Sequence, residues 1–248
     1  MKRKYGYIPD LGDHRDFKYT IEKPILLPIS VDLRSLMPPV YDQGQLGSCT
    51  ANAIAGAIQF EQIKQKIKTF IPSRLFIYYN ERVIENTIAS DSGSQIRDGI
   101  KSVNSQGVCP EAEWPYIESR FIKKPTAKAY KDALKNQVLQ YQAINQSLND
   151  LKTCLASGYP FVFGFTVYDS FESDEVAKTG IVNLPSKSEQ SQGGHAVVCV
   201  GYDDISKRFI VRNSWAADWG QQGYFTMPYE YILNNDLADD FWKITLVK

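Results

Sequence analysis

The spacing of apolar residues changes near Pro160, and this change constrains the fold more than any other feature of the chain. Before it, apolar residues recur at helical spacing, which predicts helices over residues 48–68, 73–86, 94–106 and 147–157. After it, short apolar or β-branched runs alternate with Gly, Asp-Asp and Pro turns, as is typical of strands. The predicted strands are PFVFGFTVY, GHAVVCVGYDD, RFIVRNSW, GYFTMPY and FWKITLVK. Helices followed by strands indicate an α+β protein with two lobes.

The boundary between the two lobes is expected near residues 136–146. A helical lobe would then span about 31–140 and a β lobe about 141–248, with a site in the cleft between them. Residues 1–30 are rich in Pro, Tyr and charge, which predicts an extended arm rather than a helix or strand. Ser48 is the predicted N-cap of the first helix, whose small residues indicate a central, buried position.

Composition excludes several classes of protein. Lys plus Arg and Asp plus Glu number 28 each, so the zero net charge argues against a nucleic-acid partner. The locally basic stretch from Arg120 to Lys135 is expected to be a solvated surface. No apolar run reaches about 18 residues, so no membrane-spanning segment is predicted. The first residues, MKRKYGYIPD, lack the apolar part of a secretory signal, so we expect a cytoplasmic protein unless a signal has been trimmed.

The four cysteines are Cys49, Cys109, Cys154 and Cys199. They form no CxxC pair and no zinc-type spacing with histidine, so no metal site is predicted. Cys154 lies in a helical pattern and Cys199 in a strand-like run, and both are predicted to be buried structural thiols. Four thiols in a chain of this length favour a reducing environment over a secreted domain held by disulfides.

Cys49 lies in a different setting, at the start of the predicted helix 48–68. A helix N-terminus stabilises a thiolate through its dipole. Of the two histidines, His14 lies among charges in the arm and is expected to be exposed, whereas His195 begins a predicted strand. Asn213 follows another strand. A thiolate, an imidazole and an amide that orients the imidazole together form a nucleophilic arrangement.

Three segments together resemble the signature blocks of papain-like cysteine peptidases. QGQLGSCTANA, GGHAVVCVGYD and NSWAADWGQQGYF occur in the order Cys, His, Asn. In that family the His and Asn follow the Cys by about 130–150 residues. His195 follows Cys49 by 146 residues and Asn213 by 164, which requires a modest insertion. The resemblance implies that residues 31–248 are the catalytic domain, with a helical lobe, an antiparallel β-barrel-like lobe and a cleft between them.

The resemblance also implies a role for each matching residue. Cys49 would be the nucleophile and His195 its acid/base partner. Asn213 would orient His195, and Trp215 would shield the contact between them. Gln43 would donate to the oxyanion.

Other segments resemble the family's substrate-binding elements. SDSGSQIRDGIKSV resembles the segment whose glycine backbone pairs with an extended substrate, which implicates Gly93 and Ser94. Gly194 would line the cleft, and GYPFVFGF resembles a strand of the main specificity pocket. The implied partner is a peptide or protein substrate, no metal or organic cofactor is needed, and a monomer is expected.

Two positions depart from the family pattern. Leu46 stands where a disulfide cysteine is usual, and Thr50 stands where a tryptophan usually follows the nucleophile. Neither position takes part in the cleavage of the peptide bond in the family. A threonine in place of tryptophan would, however, alter the contacts on the leaving-group side. The segment YGYIPDLGDHRDFKY before VDLR resembles a divergent microbial branch of the family.

Two questions stay open at this point. The arm 1–30 either covers the cleft as a short pro-segment or packs on the back of the β lobe. The favoured function is an endopeptidase; the alternatives are a Cys-dependent exopeptidase or transpeptidase, and a catalytically silent peptide-binding relative. The polar loop SKSEQSQGG (186–194) would narrow the cleft of an exopeptidase, whereas retention of Cys49 and His195 argues against a silent relative.

Overall fold

A computed structural model describes residues 4–21 and 25–248. Seven α-helices lie within this part of the chain: α1 (Cys49–Lys64), α2 (Arg74–Ile84), α3 (Ile96–Ser105), α4 (Ala127–Ala133), α5 (Leu148–Ala156), α6 (Asp174–Thr179) and α7 (Tyr229–Leu233). The strands are β1 (Ser30–Asp32), β2 (Val138–Ala143), β3 (Phe161–Tyr168), β4 (Ser191–Asp203), β5 (Arg208–Arg212), β6 (Tyr224–Pro228) and β7 (Ala238–Val247). The predicted α+β class is confirmed. Strands β1 and β2 and the short helices α4, α6 and α7 were not predicted.

The central position predicted for the first helix is confirmed. Residues 49–62 of α1 are all buried, and the helix packs against strands β4 and β7 and helices α2 and α3. A helix buried on every side needs apolar and small residues all round, which is the composition of α1. It ends at Lys64 rather than at 68, because the backbone adopts a left-handed φ of 55° at Lys66.

Ser48 occupies the predicted N-cap position of α1, but its side chain does not cap the helix. No helix N–H group donates to its side chain. The hydroxyl instead lies 2.6 Å from the hydroxyl of Tyr116 and accepts a hydrogen bond from Asn52 Nδ2 at 3.1 Å. Tertiary partners have therefore replaced the local cap. By contrast, Ser73 caps α2 by accepting a hydrogen bond from the Phe76 amide.

The strands form one antiparallel sheet in the order β2-β7-β3-β4-β5-β6, with β1 paired to β4. The path is open, so the sheet does not close into the barrel-like form that was predicted. Each end strand forms one bridge with a segment outside the sheet: Lys18 bridges Ala143 of β2, and Ile181 bridges Thr226 of β6. These segments satisfy edge groups that closure would otherwise pair.

Two apolar cores lie on opposite faces of the sheet. One packs α1, α2 and α3 against residues such as Val198 and Trp242. The other is rich in phenylalanine and includes Phe163 of β3 and Phe225 of β6. The N-terminus of α1 meets the start of β4 where the two cores join, so Cys49 and His195 lie on facing elements. Cys154 and Cys199 are buried and form no disulfide, so the prediction of two buried structural thiols is confirmed.

Residues 4–21 form no helix or named strand; they make isolated bridges at Tyr7 and Lys18. The rest of the predicted arm includes residues 1–3 and 22–24, which lie outside the described residues. As predicted, His14 is exposed, and so are the four lysines of the basic stretch, Lys123, Lys124, Lys128 and Lys131. None of the described helices has the length and apolar character needed to cross a bilayer.

Candidate active site

The Cys49 thiol lies in the first turn of α1 and has no solvent exposure (0%). The backbone N–H groups of Ala196 and Gly6 face it and favour its ionised form. Since Ala196 directly follows His195, the first contact places the thiol beside that histidine. Burial raises the pKa of the Cys49 thiol to about 11, so the thiol is protonated at neutral pH in this arrangement.

His195 is held by a hydrogen bond to Asn213. The imidazole Nε2 lies 2.8 Å from Asn213 Oδ1, which also accepts the Ser214 backbone N–H at 2.8 Å. An amide oxygen only accepts, so Nε2 carries the proton, and Nδ1 of the neutral ring is the nitrogen that can take a proton. The Trp215 ring lies over this pair, with its centroid 5.1 Å from that of His195.

The Gln43 amide is held by hydrogen bonds at both of its ends. Its Oε1 accepts from the Ser214 hydroxyl at 2.6 Å, and its Nε2 donates to the Leu46 carbonyl at 3.0 Å. Nε2 also lies 3.3 Å from the carbonyl oxygen of Lys4. Because Oε1 is engaged by Ser214, the donor end of the amide faces the cleft.

Sequence reasoning missed Ser214 and Asp91. Ser214 stands between Asn213 and Trp215, but its contact with Gln43 joins residues 171 positions apart. Asp91 accepts hydrogen bonds from the Gly47 amide at 3.0 Å and so supports the loop that leads into α1. Its position within the predicted substrate-binding segment was the only available signal.

The position after the nucleophile also has a specific partner. Thr50 donates to Glu81 Oε2 at 2.9 Å, and both residues are buried. Burial raises the pKa of Glu81 well above its usual value, which favours the neutral carboxyl beside Thr50.

The arm runs through the cleft between the segments of Ser94 and Gly194. The Gly6 carbonyl accepts from the Ser94 amide at 2.7 Å, and the Ile8 amide donates to the Ser94 carbonyl at 3.0 Å. On the opposite side, the Tyr7 amide donates to the Gly194 carbonyl at 2.9 Å. The two cleft walls therefore pair with the arm as they would with an extended peptide.

Ser94, not Gly93, makes the backbone hydrogen bonds to the arm. Gly93 instead leaves room for the backbone of Gly6. Gly93 has a left-handed φ of 76°, and a Cβ there would lie 2.1 Å from the Gly6 carbonyl oxygen. The structure thus gathers seven of the eight predicted site residues around residues 4–8 of the arm, and Asn213 joins them through its hydrogen bond to His195. The seven are Gln43, Cys49, Gly93, Ser94, Gly194, His195 and Trp215.

Comparison with known proteins identifies the family. The profile described as "Papain family cysteine protease" matches residues 27–239. The chain belongs to the papain family of cysteine proteases. As a papain-family member it is a cysteine-type peptidase, and its substrates are peptides. The predicted enzyme class is thereby confirmed.

Individual relatives support the same conclusion. The solved structure of xylellain, a cysteine protease from Xylella fastidiosa, is 52% identical with a TM-score of 0.92, covering 100% of this chain and 99% of xylellain. An uncharacterized peptidase C1-like protein of Acanthamoeba polyphaga mimivirus is 46% identical over 98% of this chain and 87% of its own length. The predicted two-lobed papain-like fold and the resemblance to a divergent microbial branch are confirmed.

Some of the more distant relatives are longer than this chain. Cysteine proteinase 3 of Entamoeba histolytica is 30% identical over 81% of this papain-family chain, which matches 62% of that protein's length.

Proposed function

We propose that this papain-family peptidase is an endopeptidase that cleaves peptide bonds through a thiolate of Cys49. The observation that carries the proposal is the His195–Asn213 pair beside the N-terminus of α1, where the thiol lies. With Nε2 donating to Asn213, Nδ1 is the nitrogen that accepts the thiol proton. The resulting ion pair and the helix dipole both stabilise the thiolate.

The proposed reaction has two half-reactions. The thiolate attacks the substrate carbonyl carbon, and the oxyanion accepts hydrogen bonds from Gln43 Nε2 and the Cys49 backbone N–H. The His195 imidazolium gives its proton to the leaving amine, and a thioester to the enzyme remains. His195 then takes a proton from water, which attacks the thioester, releases the carboxylic acid and regenerates the thiol. Asn213 keeps the imidazole oriented throughout.

We further propose that the arm inhibits the enzyme in its closed form. Three contacts support this proposal: the Gln43 amide donates to the Lys4 carbonyl, the Gly6 N–H faces the thiol, and residues 6–8 pair with the backbone of Ser94 and Gly194. A substrate needs the same donors and acceptors. Of the two alternatives left open by the sequence, these contacts favour the covering role.

Labelling of the thiol tests the nucleophile and the closed form together. Intact-mass labelling by a peptidyl epoxide at about pH 6 compares the full chain, its Tyr7→Ala variant, which weakens the arm, and Tyr7→Ala/Cys49→Ala. An ordinary thiol with a pKa of about 8.5 reacts slowly there. We expect one rapid addition to Tyr7→Ala, slow addition to the unsubstituted chain and none to the double variant.

Each other outcome identifies a different failure. Equally rapid labelling of the unsubstituted chain contradicts inhibition by the arm. Labelling that persists without Cys49 contradicts the assignment of the nucleophile, and no labelling of any form favours the silent binding relative. Hydrolysis of peptides blocked at both ends separates an endopeptidase from an exopeptidase, which needs a free terminus.

A further inference from the structure

The Tyr7 side chain fills a pocket in the cleft whose floor is Gly164 of β3. A Cβ on Gly164 would lie 2.0 Å from Cζ of the Tyr7 ring and 2.3 Å from both Cε atoms. The ring therefore lies flat on this glycine, in space that any larger residue would fill. A Cβ on Gly194 would likewise lie 2.8 Å from Tyr7 Cδ1, so the pocket is narrow at its side as well.

The end of the pocket is formed by Asp240. The Tyr7 hydroxyl donates to Asp240 Oδ2 at 2.5 Å, and the Asp10 backbone N–H donates to the same oxygen at 2.7 Å. Both donors belong to the arm. When the arm leaves the cleft, this half-buried oxygen loses them together, and a carboxylate there is stabilised by any new donor that enters the pocket.

The charges around Asp240 favour a neutral donor over a cation. Arg97 is close enough to lower the pKa of Asp240, and its ion-pair partner Asp16 belongs to the arm, with 2.6 Å between Nη2 and Oδ2. Once the arm leaves, Arg97 loses that partner and balances the charge of Asp240. Asp239 accepts the backbone N–H of Asp240 through its Oδ1; its charge raises the pKa of Asp240, but this carboxylate is exposed, so water screens it.

We propose that Gly164 and Asp240 determine substrate specificity by selecting a tyrosine side chain, which Tyr7 imitates in the closed form. This inference rests on the proposed peptidase function. Gly164 admits a flat ring, and Asp240 accepts its hydroxyl hydrogen. Gly6 faces the thiol and Tyr7 is its neighbour, so the selected residue is the neighbour of the one whose carbonyl is attacked.

The test uses the full chain with Tyr7→Ala, which empties the pocket. The substrates are peptides blocked at both ends that differ only in the residue next to the one bearing the cleaved carbonyl: Tyr, Phe, Leu or Lys. We expect kcat/KM for the Tyr peptide to exceed that for the Phe peptide by about tenfold or more, the usual effect of a hydrogen bond to a charged group. The Lys peptide should be cleaved more slowly than the Tyr peptide.

Three substitutions in the same background separate the contribution of the Asp240 acceptor from that of the space above Gly164. Asp240→Gly removes the acceptor while suiting the left-handed φ of 60° at this position, and should bring the Tyr/Phe ratio close to one. Asp240→Asn keeps a weaker, neutral acceptor and should give an intermediate ratio. Gly164→Ala should lower cleavage of both aromatic peptides relative to the Leu peptide. Asp239→Asn is the matched control, with an unchanged ratio.

The outcomes against the inference are distinct from failure of the proposed function. A Tyr/Phe ratio near one in the Tyr7→Ala chain, or a ratio that Asp240→Gly and Asp240→Asn leave unchanged, overturns it. Faster cleavage of the Lys peptide than of the Tyr peptide overturns the selection of a neutral donor. Absence of hydrolysis of all four peptides is instead a failure of the peptidase function itself.

Discussion

Gly6 of the arm packs directly on the backbone of Gly47, two residues before the nucleophile. A Cβ on Gly6 would lie 1.7 Å from the Gly47 carbonyl oxygen and 2.4 Å from its carbon. Both are backbone atoms of the loop that leads into α1, so neither moves aside easily. The arm can therefore approach the thiol only where it carries a glycine.

Substitution of that glycine should open the cleft. We expect Gly6→Ala to displace residues 4–8 and to raise the rate of peptide hydrolysis by the full chain at least tenfold, because the clash removes the closed form. Steady-state hydrolysis of a blocked peptide measures the effect. Gly12→Ala is the matched control, since a Cβ at Gly12 meets nothing within 4 Å. Equal rates for the two variants would show that this contact does not hold the arm.

The titration of Cys49 should change when the arm opens. In the closed form burial raises the pKa of the thiol to about 11. Opening restores water and leaves His195 and the helix dipole to stabilise the thiolate, so the apparent pKa should fall below the usual 8.5 or so. The measurement is the pH dependence of iodoacetamide alkylation of Gly6→Ala against the unsubstituted chain. The same pKa in both proteins would contradict burial by the arm as the cause.

Ser214 should act by positioning Gln43. Ser214→Ala removes the donor to Gln43 Oε1, so the amide no longer holds its N–H toward the oxyanion. We expect kcat to fall about tenfold with little change in KM, as for loss of transition-state stabilisation. The assay uses the Gly6→Ala background. Gln43→Ala/Ser214→Ala should be no slower than Gln43→Ala alone, and fully additive losses would refute a shared role.

Docking of the arm should weaken as pH rises. Burial, and then the nearby charge of Asp240, raise the pKa of Asp10 well above 3.8 in the docked arm, and burial raises the pKa of Asp240 as well. The docked pair therefore holds a proton that the free arm releases, so docking is strongest below about pH 4 and weakens as the pH rises above it, by up to about tenfold per pH unit. Arg97 and Trp242 face Asp10 as donors, and Asp240 is the carboxylate beside it.

Hydrogen exchange measures this docking directly. The protection factors of the Tyr7 and Ile8 amides, which pair with Gly194 and Ser94, should fall across that pH range. Asp10→Asn should flatten the dependence. Protection that is constant or rises with pH in the unsubstituted chain would rule out the linkage.

Glu81 should make the folded protein less stable as pH rises. Burial raises its pKa well above the usual 4.5. Above about pH 4.5 the unfolded chain releases a proton that the folded chain keeps. The free energy of unfolding therefore falls as pH rises, by up to about 1.4 kcal/mol per pH unit. Glu81→Gln keeps an acceptor for Thr50 without this penalty. Urea unfolding should show the variant becoming more stable relative to the parent between pH 5 and pH 7. A constant difference would indicate an ionised Glu81, and exposed Glu230→Gln is the control.

Local patterns account for much of what could be predicted. The main helices and strands follow from the spacing of apolar residues, and α1 stands where small residues recur. Sequence reasoning failed where tertiary contacts replaced local ones: Ser48 bonds to Tyr116 instead of capping α1, and the sheet edges pair with Lys18 and Ile181 instead of closing.

The sequence by itself determined the family, the order of Cys49, His195 and Asn213, and the helix and strand halves of the chain. Each of these is recognised from short motifs or from the local spacing of apolar residues. Only the tertiary structure decided which residues surround the thiol. The contact of Tyr7 with Asp240 joins residues 233 positions apart, and that of Ser214 with Gln43 joins residues 171 apart. Such contacts arise from the packing of the whole chain, so no local pattern of residues reports them.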